Sequence, residues 1–239
     1  MGVLSPERYF GYSKSSLTRQ DRRSRQAIQI GYAAQAAAGI TLNTTDVTSG
    51  VVFSNANLTA AHDAASSWAA RIIASGAGKS SGKWYFEVLL DVSNVGALSG
   101  CGVGISSSTS SQTGQVSLNH ASMNRYQGYA ANGWTGRFNG VNNFIAYRSS
   151  FTTADVIGCA FDLDNRQMWV SKNNVWQGGG DPSTLTTPSH SNVSFNADTY
   201  WPTLWLDDGG TGSRPKMTAR FAPGSFTYAV PTGFTAYGA

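Results

Sequence analysis

Charge is scarce in this chain. Asp, Glu, Lys and Arg together make up 13% of its 239 residues. Glutamate occurs only at Glu7 and Glu87, and histidine only at His62, His120 and His190. These shortages limit the chemistry available. A glycoside hydrolase sets two carboxyl groups across a sugar, and here both would have to come from aspartates. The histidines are far apart, outside the spacing of a metal-binding pair, and no metal or cofactor is expected. No serine is expected on a strained nucleophile elbow, so the chain is expected not to be an enzyme. Two cysteines, Cys101 and Cys159, cannot form a disulfide framework or a four-thiolate site. Both sit in apolar stretches, SGCGVGI and VIGCAF, and read as small buried hydrophobes. Runs of 18 or more apolar residues are missing, which argues against membrane insertion. The opening MGVLSPERYFGYSKSS has no apolar centre, so no secretory leader is expected.

What the chain does have is 41% hydrophobic residues and 27 glycines, amid much Ser, Thr, Asn and aromatic. That mixture suits short strands joined by tight turns. The charge is also unevenly placed. Residues 1–39 carry six basic groups against Glu7 and Asp21, a surplus of four, while residues 40–239 hold eleven of each sign. The larger part therefore offers no electrostatic case for binding nucleic acid.

The pattern changes near residue 40. SSLTRQDRRSRQAIQIGYAAQAAAG is rich in Ala, Gln and Arg, with Ser15 or Ser16 as a helix cap and Gly39 as a stop. Its apolar residues form no clean stripe, so such a helix would be marginal alone and would order against a partner. Before it, LSPERYFGYSK brings three aromatics without periodicity. Residues 1–39 read as a basic anchoring arm, extended or partly helical. Tyr9, Phe10, Tyr12, Arg19, Arg22, Arg23 and Arg25 are its assembly contacts.

From residue 40 the period becomes two. KWYFEVLLDV alternates Trp84, Phe86, Val88 and Leu90 with Tyr85, Glu87, Leu89 and Asp91, a strand over a core. GCGVGI, YQGYAA, NFIAYR, DVIGCAFDLD, QMWVSK, YWPTLWL and KMTARFA follow, separated by turn residues. This spacing predicts an antiparallel β-sandwich over residues 40–239. AAHDAASSWAARII, at 60–73, looks helical but lies between strand-like runs and is assigned to loop and strand.

Two motifs invite chemical readings. AGKSSGK, at 77–83, resembles a phosphate loop, but Ile73 stands where that motif needs Gly and the segment feeds a strand. Asp162 and Asp164 stand two apart, so both are expected on one face with Phe161 and Leu163 on the other. Such a pair is either solvated or bound to Ca²⁺. The favoured reading is a hairpin turning at Asn165-Arg166, with the aspartates outward and Arg166 and Lys172 near them.

In order, SGKWYFEV, CGVGI, YQGYAANG, DVIGCAFDLDNRQMWVSKNN and YWPTLWL resemble the SPRY domain. The ending ARFAPGSFTYAVPTGFTAY is similar to that of SPRY domains in bacteriophage proteins. The resemblance spans residues 40–239. It implies a bent two-sheet antiparallel sandwich, lectin-like in outline, that binds partners through loops at one rim and is not an enzyme. Where the family commonly has Gly in the hairpin turn, this chain has Arg166, and Asn173-Asn174 replaces the usual Asn-Gly. QGGGDPSTLTTPSHSNVSFNAD, at 177–198, reads as an inserted loop.

Such phage proteins are components of the virion, assembled in the bacterial cytoplasm. The expectation is therefore a fibre, decoration or attachment subunit, a homo-oligomer in the particle, held to other virion proteins by residues 1–39. Its sandwich would recognise a protein or a host-surface polysaccharide. A purely structural adaptor and an intracellular interaction module are the alternatives. Sugar recognition wants aromatics and planar polar groups. The rim-loop candidates are Trp134, Arg137, Tyr126, Asn142 and Trp176, with Asp207-Asp208 weaker.

Overall fold

A computed structural model describes residues 39–45, 47, 50–63, 70–92, 101–107, 126–130, 134–138, 142–189, 199–206 and 214–239, with residues 126–147 described through their backbone. The arm contacts expected in residues 1–38 lie outside this set. Gly39, assigned to the arm by sequence, falls within the compact unit Gly39–Ala239.

Among the described residues the strands are, in order, β1 (Val51–Ser54), β2 (Thr59–His62), β3 (Ala70–Ile73), β4 (Lys83–Val92), β5 (Cys101–Ser107), β6 (Tyr126–Ala130), β7 (Trp134–Phe138), β8 (Asn142–Tyr147), β9 (Val156–Asp162), β10 (Gln167–Lys172), β11 (Val175–Trp176), β12 (Tyr200–Leu206), β13 (Lys216–Arg220) and β14 (Thr235–Ala236). They form two sheets. One runs β1-β2-β13-β4-β9-β10-β11, with β14 also on β4; the other runs β3-β12-β5-β6-β7-β8. All pairings are antiparallel except β14 on β4. The expected two-sheet antiparallel sandwich is the observed fold. The helical-looking stretch at 60–73 contributes the strands β2 and β3.

Alternation sets which residues meet between the sheets. Phe86, Val88 and Leu90 of β4, Ile157, Cys159 and Phe161 of β9, and Met168 and Val170 of β10 come from one side. Cys101, Val103 and Ile105 of β5 and Leu204 and Leu206 of β12 come from the other. Both cysteines are buried thiols, and burial pushes the Cys159 thiol well up.

The other face of the larger sheet departs from expectation. A strand with one face in a core ordinarily wets the other, yet Tyr85 is 1% exposed and Glu87 0%. The cause is the segment after β13. Phe226, Val230 and Phe234, with Trp176 and Leu185, pack on Tyr85, Ala160 and Trp169. Phe226 meets Tyr85 edge-on at 5.2 Å, and Phe234 meets Trp169 at 6.0 Å. The segment then pairs as β14 beside Trp84 and Tyr85 of β4 and buries Tyr237 in the main core.

Glu87 fixes this strap. Its carboxylate accepts the amides of Thr227 at 2.7 Å and Tyr228 at 2.9 Å, and the Tyr85 hydroxyl at 2.9 Å. Arg220 lies 3.5 Å away and also donates to the Thr227 hydroxyl. Burial first, and Glu87 second, push the Tyr85 hydroxyl far above its ordinary range, keeping it a donor. Removing the carboxylate leaves these donors and the arginine unmet. Glu87→Ala is therefore expected to cost about 2–4 kcal/mol in urea unfolding, and a loss within error of zero would contradict the clamp.

Candidate functional site

The Asp162 hairpin is built as a turn, and it corrects the sequence reading. Phe161 and Leu163 are buried as expected, but Asp162 is 0% exposed rather than outward and solvated. One of its oxygens accepts the amides of Asp164 and Asn165, each at 3.0 Å; the other accepts the Asn165 side chain at 2.7 Å. Lys83, rather than Arg166 or Lys172, lies beside it at 3.5 Å. Asp164 is exposed and accepts the Gly82 amide at 3.0 Å. The two carboxylates therefore hold β9 to its turn and the turn to the residues before β4. Arg166 takes φ +56°, the left-handed conformation that explains a preference for Gly there. Among the described residues no group of three or more His, Cys, Asp or Glu could hold a metal ion.

At the opposite end of the same hairpin a second polar node forms the rim. Asp155 accepts the Thr152 amide at 2.7 Å and the Asn173 side chain at 2.6 Å, while Lys172 approaches at 3.1 Å. Lys172 also donates to the Ser150 carbonyl at 2.8 Å. Asn173 and Asn174 have φ of +47° and +65° and join β10 to β11 as a two-residue turn. Burial alone would raise the Asp155 pKa. The Thr152 amide, Asn173 and Lys172 outweigh it and hold the carboxyl below its ordinary 3.8. Val175, next along, is 66% exposed. Ser149 donates to Gln177 at 3.1 Å, tying the end of β8 to the end of β11. This rim of loops, where the edges of both sheets meet, is the candidate interface.

The structure divides the residues expected to bind there. Tyr126, Trp134, Arg137 and Asn142 are strand positions, not loop positions. Gly104, Gly128 and Gly136 stand side by side across β5, β6 and β7, next to Thr203 of β12. Val103 and Ile105 belong to the core face, so the glycine row lies on the other. Tyr126, opposite Phe138, and Asn142, also opposite Phe138, share the glycine face, as does Trp134. Arg137 pairs with Gln127, which pairs with Ile105. Tyr126, Arg137 and Asn142 gather toward one end of these strands. Trp134 is at the other, opposite Tyr147 and hence beside the candidate rim. Trp176 is half-buried and edge-on to Tyr85 at 6.4 Å. Asp207-Asp208 lie outside the described residues, as do His120 and His190.

Two features went unread in the sequence. Gly78-Lys79-Ser80-Ser81-Gly82 has the spacing of a nucleophile elbow. It lacks the strand-to-helix turn that strains an elbow serine and runs directly into β4. Lys79 of this segment lies 4.0 Å over the Trp84 ring. The other is Arg148, just beyond β8, whose buried Nε has no hydrogen-bond partner. Nothing in FIAYRSSF distinguishes this arginine from the others.

The family model of the SPRY domain matches residues 83–203. Among solved structures, the chain is similar to the SPRY domain of human HERC1, at 18% identity and a TM-score of 0.57, over 75% of this chain and 96% of that one. It is also similar to stonustoxin, at 12% identity and a TM-score of 0.49, over 76% of this chain and 27% of that one. The first likeness concerns the fold. No curated protein matches the chain by sequence.

The hairpin geometry gives unequal consequences to its two aspartates. Asp162→Ala is expected to cost about 2–3 kcal/mol and Asp164→Ala less than about 1 kcal/mol; equal effects in urea unfolding would contradict the assignment. For Asp155 a depressed folded pKa means stability that is present above the ordinary value and lost as pH falls through the folded one. Asp155→Asn should cost about 1–2 kcal/mol at pH 7, and the gap from the native chain should close as pH falls through the folded carboxyl's pKa, below its ordinary 3.8. A gap that stays constant or widens with acid would show that this carboxylate is not held ionised.

Proposed function

The chain belongs to the SPRY family, and from that premise we propose that its sandwich is a non-enzymatic recognition module carried on a bacteriophage particle. The observation that supports this most is how the carboxylates are used. Glu87, Asp155 and Asp162 are the buried carboxylates among the described residues, and each accepts main-chain amides that hold a turn or strap. A general acid or base has to face a reacting group, whereas these are committed to the fold. What the sandwich offers outward is a rim with exposed apolar and polar groups, suited to binding.

The particle assignment draws on the sequence. The net charge of the chain is confined to residues 1–39, and the ending after β13 is similar to that of phage SPRY proteins. In this reading the basic arm orders against other virion proteins and the sandwich projects from the particle. Repeated copies then give avidity for a repetitive host surface, protein or polysaccharide. Deleting residues 1–39 should abolish incorporation into particles, and soluble 40–239 should block adsorption to host cells. Normal incorporation of the deleted chain would overturn the anchoring role. Failure of a folded sandwich to block adsorption would favour a structural subunit that binds only its virion neighbours.

A further inference from the structure

Arg148 occupies the seam where the two sheets end. It follows β8, the edge strand of the smaller sheet, and faces the segment after β11, the last strand of the larger. A Cβ placed on Gly178 would come within 2.6 Å of the Arg148 Cζ and Nη1. The flat guanidinium thus lies against bare backbone, at a residue whose φ of +69° also suits glycine. Its Nε is buried and unpartnered. Three other cations of this sandwich lie beside carboxylates: Lys83 is 3.5 Å from Asp162, Lys172 3.1 Å from Asp155 and Arg220 3.5 Å from Glu87. Arg148 shows no such carboxylate among the described residues.

A guanidinium carries five N–H donors and a charge that cannot be lost at neutral pH. Buried donors are nearly always met, and a partly desolvated, unpaired cation gains more from an incoming anion than a solvated one. The residue remains half-exposed, so an anion reaches it without unfolding the seam. Space is available: a Cβ on Gly179 would meet nothing within 4 Å. Val175, on the adjoining strand, supplies an exposed apolar contact. β11 is the last strand of its sheet among the described residues, and such an edge suits an extended chain, which brings apolar, main-chain and acidic groups together.

We propose that Arg148 reads a carboxylate at this seam, and that the group it takes is an Asp or Glu side chain on an extended segment of a protein partner. The site rests on the recognition reading given above and names the chemistry of its ligand. The test titrates the ¹⁵N-labelled full chain with the blocked peptide Ac-Gly-Val-Glu-Val-Gly-NH₂ and with its Gln counterpart. The Glu peptide should shift the Arg148 Nε–H and the Gly178 and Gly179 amides, and bind at least about tenfold more tightly than the Gln peptide. Arg148→Met should abolish that preference. Arg148→Lys, which keeps the charge but not the fork, should reduce it at least about threefold. Equal binding of both peptides, shifts confined to other regions, or a preference surviving in a folded Arg148→Met chain would overturn the site. So would trigalacturonic acid shifting these resonances more than the Glu peptide does, since the site would then read a glycan acid. Adsorption blocking separates this from the recognition reading. A native sandwich that blocks adsorption while the Glu peptide shifts nothing sinks the carboxylate site and leaves recognition standing.

Discussion

A single buried carboxylate organises the layering of this sandwich. Glu87 stands in the middle of β4 with no exposure to solvent, in a sheet whose other face already carries the main core. An ionised group there is tolerable only if its hydrogen-bonding capacity is filled. The strap fills it with two main-chain amides, and in arriving there it brings Phe226 and Phe234 onto Tyr85 and Trp169. Polar satisfaction and apolar burial are therefore achieved by one segment. The fully buried β9, with every residue from Val156 to Asp162 covered, follows from this second layer.

The fold was legible because its signals are local. KWYFEVLLDV, DVIGCAFDLD and QMWVSK alternate with period two, and the asparagines at 173 and 174 announce a left-handed turn; β4, β9 and β10 and the turn after β10 form accordingly. What stayed hidden depends on contacts distant in sequence. No pattern around Glu87 tells that residues 140 positions later will cover it. Asp162 was expected outward because alternation assigns a face but not what covers that face. The amides two and three residues ahead, which donate to it, recruit it to the turn instead. Lys172 was expected beside Asp162, yet in the antiparallel register it stands at the other end of the hairpin, opposite Ile157.

The candidate interface shows the same division. Aromatic and polar residues among glycines suggested a loop cluster around Trp134, whereas the glycines mark a row in which three strands align without side chains between them. Composition identified residues suited to binding but could not assign them to ends or faces. Trp134 belongs with the rim by register, while Tyr126 and Asn142 do not. Arg148 had no sequence signal because its distinction is an absence of partners among the described residues, which only three-dimensional placement reveals.

The strap has a consequence for the order in which the molecule can be made. During synthesis β4, β9 and β10 emerge and can pair well before residues 223–237 leave the ribosome. Until then Tyr85, Ala160 and Trp169 form an open aromatic surface with a charged group at its centre. Contacts of such sequence separation close late and slow folding, and exposed apolar sheet faces of this kind attract other nascent chains. Glu87 then acts in biosynthesis as well as in the finished fold: its carboxylate disfavours apolar association across the open face until the chain's own amides arrive to donate to it.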